Sequence, residues 1–143
     1  MSRTAGKTGS VPVLRIVDVN LNRLTEGLKV VEDVVRFGLE DRALLESVRA
    51  LRTRVGTRTR ALRRRAISSR GSERDLGRGD RFDRTRRQSL DAVLAANFKR
   101  AEESARVLEE TLKLVEPKQA AFFKAVRFRL YDLEKAAVER RLR

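Results

Sequence analysis

Apolar residues along this chain recur at the spacing of helices and nowhere at the spacing of strands. Leu21, Leu24, Leu28, Val31 and Val35 step by three and four residues, which gathers them on one helical face. Glu26, Lys29, Asp33, Arg36 and Glu40 take the opposite face. Helix is therefore predicted from Val13 to an interruption at Glu40-Asp41, which is placed to cap a second helix over roughly 42–66. Gly56 within that helix costs about 1 kcal/mol relative to Ala. Ser68 to Arg81 carries Gly71, Gly77 and Gly79, shows no period, and reads as a loop. A third helix is predicted from near Ser89 to about Val115, with Phe98, Ala101, Ala105, Leu108 and Leu112 as its stripe. Pro117 stands where a first-turn proline belongs. It opens a fourth helix over 117–141, with Phe122, Val126, Leu130 and Leu133 facing inward. No segment alternates with period two, and no Asn-Gly or Asp-Gly hairpin signal occurs. Residues 1–12 are polar, with two glycines and one proline, and are expected as a disordered tail. Residues 13–143 are expected as a single helical domain.

The first stripe belongs to a longer repeat. Asn20 to Arg36 aligns without a gap onto Asn97 to Lys113, about half the chain later. The shared pattern is N-x-x-R-x-x-E-x-x-[KR]-V-x-E-[DE]-x-x-[KR]. A period of that length implies two similar halves rather than a stacked array. The predicted fold is all-α: a pseudo-two-fold four-helix bundle made of two helix pairs joined by the Gly/Arg-rich loop. Small Ala and Ser positions on the third helix allow a neighbour to approach closely.

Packing accounts for a repeated apolar stripe, but not for a repeated Asn upon it. At about 100° per residue, Asn20 falls inside the arc of Leu24, Leu28, Val31 and Val35, with Arg23 and Glu32 on its two shoulders. Asn97, Arg100 and Glu109 take the same angles on the third helix. A buried amide must be hydrogen-bonded. Two arrangements meet that demand. The amides bond each other or the backbone and fix helix register. Alternatively they line a polar cleft at the pseudo-two-fold axis, bounded by Arg23, Arg100, Glu32 and Glu109, where Asn reads a heterocycle edge and Arg holds phosphate.

Charge sharpens that picture. The net charge is +14. Between Arg58 and Arg87 stand twelve arginines against four acidic residues. Such a cluster suits phosphate on a nucleic acid, nucleotide or metabolite, or else a solvated basic surface. Within it lie Arg70 and Asp75-Leu76-Gly77-Arg78. Gly77 lets backbone amides approach an anion. Arg70 and Arg78 neutralise it, and Asp75 is placed to hold a divalent cation bridging phosphates. The plainer alternative is a basic loop without fixed geometry.

Composition removes other chemistry. There is no Cys and no His, so disulfides, thiol catalysis and the common zinc sites are excluded. Any general base is Asp, Glu, Lys or Tyr. Gly6-Lys7-Thr8 lacks the leading glycine and the preceding strand of a phosphate-binding loop. Residues 1–11 have no apolar core of a secretory signal, and no run is long enough to span a membrane. The expected location is cytoplasmic.

Taken together, Asp18-x-Asn20-x-Asn22-Arg23-x-x-Glu26-Gly27-Leu28-x-Val30-x-Glu32, Arg36-Phe37, Arg70 with Asp75-x-Gly77, Ala96-Asn97-x-Lys99-Arg100-x-x-Glu103-x-x-Arg106-Val107-Leu108-Glu109-Glu110, and Arg127-x-x-Leu130-Tyr131-x-Leu133-Glu134 carry a resemblance. The chain resembles the stand-alone hydroxymethylpyrimidine-phosphate kinase family of thiamine biosynthesis, a domain often fused ahead of thiamine-phosphate synthase. The resemblance covers about Leu14 to Val138. It departs at Gly71, where the family usually has Asp. What it implies is phosphoryl transfer from ATP, with Mg²⁺, to a phosphorylated pyrimidine. On that reading Arg70, Arg78, Arg23 and Arg100 meet phosphates. Asp75, and after it Asp18, hold Mg²⁺. Asn20 and Asn97 read the aminopyrimidine, flanked by Glu32 and Glu109, and Tyr131 stacks on the ring or bonds a phosphate. No synthase domain follows, so the stand-alone form is expected, with functional association with thiamine-phosphate synthase and a homodimer as open arrangements. Nucleic-acid binding fits the charge but lacks signature motifs, and aromatics are only 5% of residues, too few for stacking platforms. A silent helical partner of the synthase is the third reading.

Overall fold

The structure, a computed structural model, describes the backbone of residues 2–79 and 85–141, and side chains from residue 10 onward within them. All regular structure among the described residues is helical. α1 spans Ser2–Val34, α2 Arg42–Arg58, α3 Arg60–Ile67, α4 Leu90–Val115 and α5 Pro117–Arg141. Two boundaries differ from the sequence expectation. α1 carries helical backbone from Ser2, upstream of Val13, and runs through Pro12. Proline removes one backbone donor there and crowds the carbonyl one turn earlier. The second helix is interrupted at Thr59, between α2 and α3. Its buried hydroxyl donates to the Val55 carbonyl at 2.6 Å. Such back-bonding loosens and bends a helix.

Local chemistry sets the other ends. α1 closes in a π-type turn over Val35–Leu39, where Glu40 N–H donates to the Val35 carbonyl at 2.9 Å. The Asp41 carboxylate caps α2 by accepting from Leu44 N–H at 2.8 Å, and the Ser89 hydroxyl caps α4 by accepting from Ala92 N–H at 3.1 Å. Arg140 pairs with Asp41 and ties the end of α5 to that cap.

Both predicted stripes are buried along their whole length, as are Phe122, Val126, Leu130 and Leu133. They form one core. α1 lies antiparallel to α4, since Gly27 packs against Asn97 and Ala101, and Gly38 against Leu90. α4 and α5 are antiparallel, joined by Arg127 to Glu109 and Arg141 to Asp91. α2 and α3 run back along α1, marked by Arg52 to Glu32, Arg63 to Asn22 and Arg70 to Asp18. α2 also meets α5, where Gln119 donates to the Arg58 carbonyl at 3.3 Å. The result is a four-membered bundle whose fourth wall, α2 with α3, is bent.

The repeat extends further than the sequence pattern showed. Leu45 and Ala120, Val48 and Phe123, Leu51 and Val126, Val55 and Leu130, and Leu62 and Ala137 are matched buried positions of α2–α3 and α5 at one constant shift. Arg52 and Arg127 fall at the same shift and grip the equivalent carboxylates Glu32 and Glu109.

Candidate functional site

The α1–α4 interface opens on one side into a groove of about 570 Å³. Asn20, Arg23 and Glu26 line it from α1, and Lys99, Arg100 and Glu103 from α4. Both copies of the repeated Arg and Glu therefore face one groove, because the pseudo-two-fold axis passes between these two helices. Asn20 and Asn97 do not bond each other. Asn20 Nδ2 donates to the Ile16 carbonyl at 2.9 Å, and Asn97 Nδ2 to the Val93 carbonyl at 2.8 Å. Asn20 lines the groove, whereas Asn97 lies outside that lining, its backbone carbonyl beneath Gly27.

Glu32 and Glu109 are not brought into the expected cleft. Each is buried on the far shoulder of its stripe, under the other helix of its own pair. Glu32 meets Arg52 at 2.8 Å, Lys29 at 3.3 Å and Arg49 at 3.5 Å. Glu109 meets Arg127 at 3.0 Å. A buried carboxylate needs such partners, so their recurrence has a structural cause. Tyr131 lies apart as well, on α5, where its hydroxyl accepts from Arg127 Nη1 at 3.3 Å.

Among the described residues an ion pair to α1 anchors the loop. Arg70 Nε and Nη2 donate to Asp18 Oδ2 and Oδ1 at 2.8 and 2.9 Å. This two-point geometry is the strong form of the arginine–carboxylate contact. Asp18 is buried, and its hydrogen bonds hold the Arg70 pKa above its ordinary value. Asp75 follows at the end of a 3₁₀ turn over Ser72–Arg74, and its Oδ1 accepts from Gly77 N–H at 2.8 Å. The Gly77 amide is therefore turned toward Asp75. Arg78 is exposed beyond that turn. Arg15, Asp18, Asn22, Arg70, Gly71 and Asp75 surround a cavity of about 320 Å³.

The two cavities adjoin. A hollow of about 400 Å³ between them shares Arg15, Val19 and Asp75 with the loop cavity, and Asn20 and Arg23 with the groove. One trough thus follows α1 from Asp75 to Arg100. Arg15 and Arg23 line it without a hydrogen-bond or ion-pair partner among the described residues. Arg15 escaped the sequence reading because it lies upstream of the repeat. Asn22 entered it only as one letter of the family resemblance. Its Oδ1 accepts from Arg63 Nη1 at 3.1 Å, while Arg63 Nη2 reaches the Leu21 carbonyl at 3.1 Å and Thr25 Oγ1 at 2.9 Å. Desolvation lowers the Arg63 pKa from its ordinary value. In the run Arg63-Arg64-Arg65, only the burial of neighbouring Leu62 and Ala66 singles Arg63 out.

For a magnesium ion the donors fit in type. Mg²⁺ commonly takes one or two carboxylates and fills its shell with substrate phosphates and water. Asp75 is exposed on the trough, whereas both Asp18 oxygens are engaged by Arg70. No cluster of three or more acidic residues able to cage a metal occurs among the described residues. None of the described helices is long and apolar enough to cross a membrane.

Residues 15–136 match the ThiD2 family. The chain is 41% identical over 136 residues to a thiamine-phosphate synthase of Synechococcus sp. (strain CC9605), covering 94% of this chain and 38% of that protein. It is 42% identical over 124 residues to the thiamine-phosphate synthase of Thermosynechococcus vestitus, and 43% over 126 residues to that of Gloeobacter violaceus. These alignments cover 85% and 87% of this chain but 34% and 36% of the relatives. The chain thus spans little more than a third of their length. No solved structure matches it. The family match covers both copies of the repeat, the Asp18–Arg70 anchor and the residues of the trough, and this chain belongs to the ThiD2 family.

Proposed function

We propose that this protein acts in thiamine biosynthesis, transferring the γ-phosphoryl group of ATP to hydroxymethylpyrimidine phosphate. The observation that carries this reading is the trough, which joins a basic loop cavity to a groove lined by an amide and matched Arg–Glu pairs. A non-bridging oxygen of the acceptor phosphate attacks the γ-phosphorus. The bond from that phosphorus to the β–γ bridging oxygen breaks, and ADP leaves. The acceptor is largely dianionic at neutral pH, its second pKa being about 6, so no side chain need remove a proton. A chain without His is suited to such a step, where positioning and charge neutralisation dominate.

Arg70, held by Asp18, lines the loop cavity, and Arg15 and Arg23 supply charge along α1 that no described residue pairs. Asn20 reads the pyrimidine edge through its carbonyl oxygen and its second Nδ2–H, the first being donated to the Ile16 carbonyl. Magnesium, when bound through Asp75, would supply charge neutralisation between the phosphates. A coupled assay tests this: ATP, Mg²⁺, hydroxymethylpyrimidine phosphate, thiazole phosphate and added thiamine-phosphate synthase. Thiamine phosphate should appear in proportion to this protein, and Arg70→Ala and Asp75→Ala should each lower the rate about a hundredfold or more with unchanged circular dichroism. Wild-type rates in both variants would remove the loop from the mechanism.

A second reading has its own support. The relatives are named thiamine-phosphate synthase, and Phe128 and Tyr131 form an exposed aromatic pair on α5. A catalytically silent partner of that enzyme would give no product in the assay yet co-elute with the synthase.

A further inference from the structure

The two halves differ at one matched place, and the difference leaves a cavity. In the second half Arg127 grips Glu109 and donates Nη1 to the Tyr131 hydroxyl at 3.3 Å. The Tyr131 ring meets Phe128 edge to face, centroids 5.8 Å apart. In the first half Arg52 also grips Glu32, through Nη1 at 2.8 Å. At the shift that pairs Arg52 with Arg127, Thr53 stands for Phe128 and Gly56 for Tyr131. The volume those rings occupy in one half is open in the other. A hollow of about 450 Å³ lies there, lined by Thr25, Glu32, Arg49, Arg52, Thr53 and Gly56. A Cβ at Gly56 would meet nothing within 4 Å. Gly56 weakens its helix, and no packing contact there requires a glycine.

The charge in this hollow is cationic. Arg49 and Arg52 both face Glu32, at 3.5 and 2.8 Å, and no other described residue bonds either guanidinium. A guanidinium carries five N–H donors, so each retains an edge for a second anion. The buried carboxylate aims both arginines and offsets part of their charge.

The geometry points to a second binding site in this hollow, for an organic phosphate whose anionic group meets Arg49 and Arg52 and whose flat ring lies over Gly56 as the Tyr131 ring lies in the other half. The hollow has the volume of a small-molecule pocket. It is lined by α1 and α2 on the side away from the trough and stands whether or not the proposed transfer occurs there.

The test is an amide NMR titration of the full-length, isotopically labelled chain with inorganic phosphate, ATP and hydroxymethylpyrimidine phosphate in turn. At least one organic phosphate should shift the Gly56 and Thr53 amides at concentrations about tenfold or more below those at which inorganic phosphate does. The effective compound tells whether a nucleotide or a pyrimidine phosphate is the source. Gly56→Tyr, which copies the second half, should keep its helical circular dichroism and weaken that binding about tenfold or more. Thr53→Phe is the second filling variant should Gly56→Tyr fail to fold. The proposal is overturned if neither organic phosphate moves these amides, if inorganic phosphate does so equally well, or if a folded filling variant binds as wild type does.

Discussion

Glu102 is the residue whose environment most opposes its charge. It is 3% exposed, neither oxygen has a hydrogen-bond partner among the described residues, and the Lys99 ammonium is 3.5 Å away. Burial first, and then the Glu134 carboxyl from α5, push its pKa up from 4.5 to about 7. A carboxyl raised in the folded state favours folding below its unfolded pKa, and that advantage is lost as pH rises toward 7. Glu102→Gln should therefore be more stable than wild type at pH 8, with the gap shrinking toward pH 4.5, as read by urea denaturation across pH. An unchanged gap would mean the carboxyl is not what responds. Gly27 poses a different constraint. A Cβ there would stand 3.2 Å from the Asn97 carbonyl oxygen, a backbone atom that moves only with α4. Gly27→Val should cost about 1–3 kcal/mol, measured by the same denaturation, because it forces α1 from α4. The sequence marked this position as part of a repeat, with Ser104 as its counterpart, but a small residue in a pattern does not say which backbone lies opposite.

Among the elements, α3 and the following loop depend most on single polar contacts. α3 is eight residues long, too short to be stable alone. Arg63 binds it to α1 through three acceptors, one of them Asn22 on the trough. Arg63→Ala should cost about 1.5–3 kcal/mol, the worth of hydrogen bonds from a charged group. Arg63→Lys should not restore it, since a point ammonium cannot reach three divergent acceptors. Full rescue by lysine, judged by thermal melting, would reduce Arg63 to a matter of charge. The four longer helical stretches were legible in sequence because each buries a stripe of period 3.6, which the pattern of apolar letters records directly. The break at Thr59 was not, because it falls within an otherwise unbroken apolar stripe, where the hydroxyl and the N–H of Thr59 share the Val55 carbonyl. The loop was legible as a loop and as basic. Its docking on Asp18 was not, since that contact joins residues far apart in the chain.

For the whole molecule, charge and symmetry set the terms. With a net charge of +14, the folded chain repels itself, and ions screen that repulsion over about 8–10 Å. Raising salt from low to physiological ionic strength should raise the melting temperature, followed by circular dichroism. A fall would show that ion pairs such as Arg52–Glu32 outweigh the repulsion. The amino-acid sequence by itself determined the helical class, the places of the long helices, the internal repeat and the basic loop, because these follow from local spacing and composition. It placed Asn20, Arg23 and Arg100 near one axis, and all three line the groove between α1 and α4, because matched positions on two symmetric stripes meet near that axis. Only the tertiary structure decided that Glu32 and Glu109 turn away from that axis into buried ion pairs, that Arg15 and Asn22 join the loop cavity, and that Gly56 leaves open what Tyr131 closes. Those outcomes depend on which shoulder of a helix faces which neighbour, and a one-dimensional pattern fixes the face of a helix without fixing what is laid against it.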